Sequence, residues 1–186
     1  MTLNFSSLVI IKFVVLFFYM LIRLATVNDI PETMGLLSEV VPPMNASGNF
    51  QWDNNYPNAK IFAEDVAHGK LWLAEIKNKI AGISAITTDQ DPEYAQVGWD
   101  ISETAIVTHR LAVNIHYRGL GVAEALLQKA EQEALRRGIK TLRVDTNTKN
   151  TATQKLFPKM RYVFSGEIGL SYRPGLRFYC YEKRLD

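Results

Sequence analysis

Apolar and polar positions along the chain repeat with two different periods. LIRLAT at 21–26 alternates as a strand does. Asn28 or Asp29 then caps a predicted helix over 29–41, which accepts Pro31 in its first turn and ends before Pro42–Pro43. Ile30, Met34, Leu37 and Val41 share one face of that helix. A polar loop carrying aromatics, NASGNFQWDNNYP, leads to a second helix from about Pro57 to His68–Gly69. KLWLAEIKNKIAGISAIT reads as two strands, about 70–76 and 80–88, with a hairpin at Asn78–Lys79. A long acidic loop is expected over 89–103, then a β-branched strand over 104–115 that runs directly into a glycine-containing stretch. The helix beyond, about 120–137, places Ala123, Leu126, Leu127, Ala130 and Ala134 on one face, and Gly138 closes it. A strand at 141–146, a short helix at 150–160 and strands at 161–168 and 176–184 complete the order. The order β-α-α-β-β-β-α-β-α-β-β predicts an α+β fold around one central mixed sheet.

Composition narrows the class. The 186 residues, 47% hydrophobic and 22% charged, suit one domain with a real core and exclude global disorder. A net charge of +2 without blocks of like charge offers no case for nucleic acid. Cys180 is the only cysteine, which excludes an internal disulfide, and His68, His109 and His116 lack ligand spacing, so no metal is expected. These features fit a cytoplasmic setting. Residues 8–24, LVIIKFVVLFFYMLIRL, are almost wholly apolar and borderline in length for a membrane span. The expected division is an apolar extension over 1–19 and a folded domain over 20–186. The extension reads as a segment outside the fold, from a start codon placed ahead of Met20, with a membrane anchor as the alternative. A signal peptide fits less well, since no basic residue precedes the run and no A-x-A-like site follows it.

Residues 116–126, HYRGLGVAEAL, concentrate the candidate chemistry. Glycines at a strand-to-helix junction let a phosphate reach the helix's unsatisfied first amides, and Arg118 adds a charged donor. A tight turn that merely needs glycine is the competing explanation. A dinucleotide fingerprint fails at Glu124, a Walker A loop lacks its Gly-Lys-Ser/Thr, and an RNA-recognition signature belongs in a strand, where a helix is predicted here.

RLAVNIHYRGLGVAEALLQKAEQEALRRGIKTLRVDT (110–146) resembles the coenzyme-binding core of the GNAT superfamily of N-acetyltransferases, whose Arg/Gln-x-x-Gly-x-Gly/Ala signature is matched by Arg118, Gly121 and Ala123. Asn150, QKLFPKMRY and the start IRLATVNDIPETMGLL extend the similarity over nearly everything after Met20. The resemblance implies a central mixed, mostly antiparallel sheet flanked by about four helices, and acetyl-CoA as co-substrate. It also implies a pyrophosphate on the amides of Arg118, Gly119, Leu120, Gly121, Val122 and Ala123. A pantetheine arm would lie beside a splayed, bulged strand at Leu111, Ala112 and Val113, one of whose amides would stabilise the oxyanion. Asn150 is the expected pantetheine contact. Phe157 stands where many members carry a tyrosine acid, so Tyr162, Tyr179 and Tyr181 become substitutes for that acid, with core packing as their competing role. Pro158 is expected to kink the last helix.

His109, on the strand beside the expected thioester, is the candidate base, while Arg110 reads as structural, Cys180 as inert and His116 as part of a solvated turn. For the acceptor, Phe50, Trp52, Asp53 and Tyr56 offer aromatic walls and a carboxylate, and the tip SYRPGLR offers Arg173 and Arg177 to a carboxylate. The expected function is acetyl-CoA-dependent acetylation of a primary amine of a small molecule or peptide. The alternative is a catalytically weak acyl-CoA-binding module, and a homodimer is left open.

Overall fold

The computed structural model describes residues 20–186; the extension over 1–19, with most of the 8–24 run, lies outside the described residues. Seven strands form one sheet in the order β1-β2-β3-β4-β5-β7-β6. They are β1 (Met20–Leu24), β2 (Leu71–Ile76), β3 (Lys79–Thr87), β4 (Ile106–Val113), β5 (Thr141–Asn147), β6 (Val163–Ile168) and β7 (Phe178–Arg184). Only the β4–β5 pair is parallel; the pairs β1–β2, β2–β3, β3–β4, β5–β7 and β6–β7 are antiparallel. The helices are α1 (Ile30–Ala46), α2 (Ala59–Ala67), α3 (Val122–Arg136) and α4 (Thr151–Lys159). This is the mixed sheet with about four helices expected from the sequence. Among the described residues, no helix is long and apolar enough to cross a membrane.

Alternation along the strands sends side chains to two covered faces. On one, Leu36, Leu37 and Val40 of α1 and Phe62 of α2 pack on Leu71, Leu73, Ile83 and Ala112. On the other, α3 supplies Val122, Leu126, Leu127, Ala130 and Ala134. Val122 leads this buried stripe, while Ala123, placed on it by periodicity, is only half-buried. Gly82 on β3 allows the first turn of α3 to come down onto the sheet: a Cβ there would meet Val122 Cγ1 at 2.5 Å and the Ala112 carbonyl at 2.9 Å.

Four local expectations change. Helix α1 continues through Pro42 and Pro43 to Ala46. Proline's φ is helical, so the helix can run on past both rings at the cost of their amide donors and some crowding of the preceding turn, and Val40, Val41 and Met44 hold the last turn against the core. The β2–β3 turn is Lys77–Asn78, one residue earlier than predicted; both have positive φ (51° and 59°) and Ile76 pairs with Lys79, the geometry of a two-residue type I′ hairpin. Between β4 and the glycines stands a short 3₁₀ turn, Ile115–Tyr117, so the strand does not run directly into them.

The acidic 89–103 segment is the fourth. It folds inward as a 3₁₀ turn, Pro92–Val97, with Tyr94 fully buried and edge-on to Trp99 at 5.0 Å. Its anchor is Arg143 of β5, whose side chain is completely buried. The guanidinium donates to Glu182 (2.9 Å), to the Asp100 carbonyl (3.0 Å) and to the Gln90 side chain. Gln90 in turn donates to the carbonyls of Ile101 (3.1 Å) and Glu103 (2.8 Å).

Replacing Gly82 with valine should lower stability by about 1–3 kcal/mol, because neither the Ala112 carbonyl nor Val122 can give way without moving α3. A denaturant midpoint equal to the wild type's would show that α3 does not rest on this glycine.

Candidate active site

Three residue pairs join β4 to β5: Ile106 to Leu142, Val107 to Arg143 and Thr108 to Val144. Beyond Thr108 the strands separate, although both continue. Here β4 bulges. His109 pairs with Ala85 and Ala112 with Ile83, so Arg110 and Leu111 together face Ser84. Arg110 is left-handed (φ 53°), and its guanidinium grips Asp65 of α2 through two bonds of 2.8 and 2.9 Å. This residue, read from sequence as structural, fixes the bulge to the helix layer. Asn114 N–H donates to Ala81 of β3 at 2.9 Å, so strand alternation turns the Leu111 and Val113 amides toward the gap that β5 has left.

A groove of about 550 Å³ runs along that gap. It is bordered by Val40, Pro43 and Met44 of α1, by Leu111–Val113, by the Arg118–Ala123 turn, and by residues 149–153 at the start of α4. Two helix N-termini therefore converge on it. In α3 the first intrahelical bond runs from Ala125 N–H to Gly121 O (3.0 Å), leaving the amides of the preceding residues without intrahelical acceptors. Gly119 and Gly121 have φ of 76° and 80°, with nothing within 4 Å of the position a Cβ would take. Both explanations of the glycines thus hold: the turn needs positive φ, and the bare backbone borders the groove. Arg118 and Lys149 add cationic side chains, neither ion-paired among the described residues. Of the predicted run 118–123, only Leu120 does not border the groove, since it points to solvent. Asn150 caps α4 through its Oδ1, which accepts from Thr153 N–H at 3.4 Å. A long ligand with phosphates at one end fits this amide-lined, cationic groove.

At the splay the groove meets a smaller cavity of about 70 Å³, with Gln51, Trp52, Leu111, Asn150 and Thr153 bordering both. His109, the candidate base, lines it with Tyr56 and Arg173 of the candidate acceptor loops, together with Phe157, Thr108, Asp145 and Tyr172. His109, Asp145 and Asp91 bring ring nitrogens and carboxylate oxygens within 4.8 Å of one another. Tyr94 donates its hydroxyl to Asp145 at 2.6 Å and Tyr172 donates to Asp91 at 3.2 Å. Burial pushes the Asp91 carboxyl upward against the pull of His109, and the nearby Asp145 adds to the rise. The Thr108 hydroxyl, on a residue only 5% exposed, and Arg173 Nη2 are both buried without a partner.

The structure places other candidates elsewhere. Tyr162 and Tyr181 border neither cavity. They pack with Phe157 in the core under α4, at ring distances of 5.9 and 5.3 Å, and burial pushes both phenols upward. Phe50 is exposed, Arg177 pairs with Glu167 at 2.6 Å, and Asp53 pairs with Arg173 at 2.8 Å. The Arg173 guanidinium also lies over the Tyr56 ring at 4.4 Å, which ties the two predicted acceptor loops together. Cys180 is fully buried, with its thiol pushed up by burial, and His116 is exposed. Sequence reasoning missed Asp91, Asp145 and Tyr172. Asp145 carried one signal, the single carboxylate in the strand TLRVDT.

The sequence model described as the acetyltransferase (GNAT) family matches residues 39–162. The curated protein N-acetyltransferase 8F1 of Rattus norvegicus is 29% identical over 101 residues, 54% of this chain and 42% of that protein, so the match spans less than half of that relative. A crystal structure of a GNAT-family acetyltransferase from Streptococcus agalactiae 2603 is similar at TM-score 0.75 and 27% identity, covering 90% of this chain and 96% of that one. An acetyltransferase from Salmonella typhimurium, solved with its cofactor acetyl-CoA, shares the fold at TM-score 0.65 and 14% identity, covering 90% of this chain and 94% of that one.

The raised Asp91 carboxyl has a consequence for stability. A carboxyl whose folded pKa lies above its unfolded value costs stability as pH rises past the ordinary carboxylate range, because the folded state holds the proton more tightly. Asp91→Asn should therefore raise the thermal midpoint at pH 7, with the gain vanishing near pH 3. An Asn variant no more stable than wild type at pH 7 would show that the neighbours fully offset the burial.

Proposed function

The chain belongs to the GNAT acetyltransferase family, and on that premise we propose that residues 20–186 transfer acetyl from acetyl-CoA to a primary amine of a small molecule or peptide. One observation carries the reading: the amide-lined glycine turn and the separation of β4 from β5 border a single groove, which opens onto a cavity holding His109. In this reading the amides at 118–123, with Arg118 and Lys149, hold the pyrophosphate. The open edge of β4 at Leu111–Val113 bonds the pantetheine arm as an added strand would, and Asn150 offers its free Nδ2. Bound acetyl-CoA supplies an activated acyl thioester.

His109 accepts one proton from the incoming ammonium, and Asp145 and Asp91 stabilise the imidazolium that forms. Nitrogen then bonds to the acyl carbon while the carbon–sulfur bond breaks. One of the outward amides, Leu111 or Val113, donates to the oxygen that gains charge, which leaves the other for the pantetheine arm. The second amine proton goes to the departing sulfur, and His109 returns its own to solvent. Phe157 offers no hydroxyl for the leaving group, but a thiolate of pKa about 8.5 leaves readily near neutral pH without a positioned acid.

Release of free thiol on mixing acetyl-CoA with a panel of amines tests the proposal. Gly121→Glu should abolish coenzyme binding in calorimetry, since it strains a positive φ and puts a negative charge at the anion site. His109→Ala should keep binding and lower turnover by roughly 10²–10⁴-fold, flattening the pH profile near neutrality. Coenzyme binding with no transfer to any amine would favour a non-catalytic acyl-CoA-binding module, the reading that Phe157 motivates. Unchanged affinity in Gly121→Glu would overturn the groove assignment.

A further inference from the structure

The charges around the small cavity do not balance. Each arginine that borders it is already neutralised: Arg110 by Asp65 through two bonds of 2.8 and 2.9 Å, and Arg173 by Asp53 at 2.8 Å. Nearby, Lys70 pairs with Asp89 at 2.5 Å, and Glu93 is held by the Ser171 amide at 2.9 Å. Asp91 and Asp145 are different. Among the described residues their hydrogen-bond partners are the hydroxyls of Tyr172 and Tyr94, and His109 is the basic group that shares their cluster. Two carboxyls thus share one imidazole, so even a protonated His109 could match only one ionised carboxylate. Burial without a counter-charge already pushes the Asp91 carboxyl upward, and a bound cation at this end would offset that cost.

Hydrogen bonding adds a second condition. Arg173 borders the same cavity, and its Nη2 is buried without an acceptor, although the charge of its guanidinium is already met by Asp53. Such a donor needs an oxygen, and a neutral one suffices; a carboxylate would instead bring negative charge toward Asp91 and Asp145. At about 70 Å³ the cavity admits only a small head group, so the ammonium and that oxygen must be few bonds apart.

We infer that the acceptor is an α-amino amide, an ammonium with a neutral carbonyl beside it and no free carboxylate, presented by a small amino acid amide or by the first residue of a peptide. This rests on the acetyltransferase reading above and narrows its acceptor. Asp145 and Asp91 hold the ammonium next to His109, and Arg173 Nη2 donates to the carbonyl. A free amino acid is discriminated against by its own carboxylate.

Calorimetry on protein saturated with coenzyme A tests this with four probes: L-alaninamide, trialanine, L-alanine and isopropylamine. Alaninamide or trialanine should bind at least tenfold more tightly than alanine, and the tighter of the two names the source. Isopropylamine, which lacks the carbonyl, should bind more weakly than alaninamide. Arg173→Gln should bring alaninamide down to isopropylamine, and Asp145→Asn should weaken every cationic probe. Alanine binding as well as alaninamide overturns the inference, as does a lack of affinity for all four probes on protein that binds coenzyme A. Failure to bind coenzyme A in its own titration strikes the acetyltransferase reading instead, so the two failures are separable.

Discussion

The site exists because one hydrogen-bond ladder stops early. After Thr108, the residue that would continue the β4–β5 pairing is displaced by an extra residue in β4, and Arg110 adopts a left-handed backbone that few side chains accept. Such a conformation persists only where its surroundings over-determine it. Here the two-bond grip of Asp65 supplies the restraint, and both side chains are nearly buried. A helix on one face of the sheet thereby dictates where two strands on the central seam part.

Several features of the sequence acquire their purpose from that parting. The helix N-termini of α3 and α4 both border the opening, so their partial positive charges add in one place. Gly82 brings α3 close enough to matter. On the other face, fully buried Arg143 pins the 89–103 segment through Gln90, the neighbour of Asp91, and so brings a carboxylate beside His109 and Asp145. The backbone at the groove end and the side chains at the cavity end are thus positioned by separate structural layers.

The groove was far more legible in the sequence than the small cavity. Strand, glycines, helix and strand are contiguous, so their periods and the positive-φ glycines can be read locally. The Asp91–His109–Asp145 cluster joins three distant segments through the register of β4 on β5 and the inward fold of an apparent loop, neither of which leaves a periodic trace. Tyr162 and Tyr181 misled for the opposite reason: in a one-dimensional pattern a core aromatic and a proton donor are the same letter. The prolines at 42 and 43 misled because their cost to a helix is counted in missing amides, while burial of α1 decides whether that cost is tolerated.

The tie between Arg173 and Asp53 leaves the Asp53 carboxylate half-exposed while the arginine side is almost enclosed. An ion pair with one wet partner is weakened by added salt. The two loops it joins are thus coupled to the ionic medium, and how firmly they hold together is a property of the solution as well as of the fold.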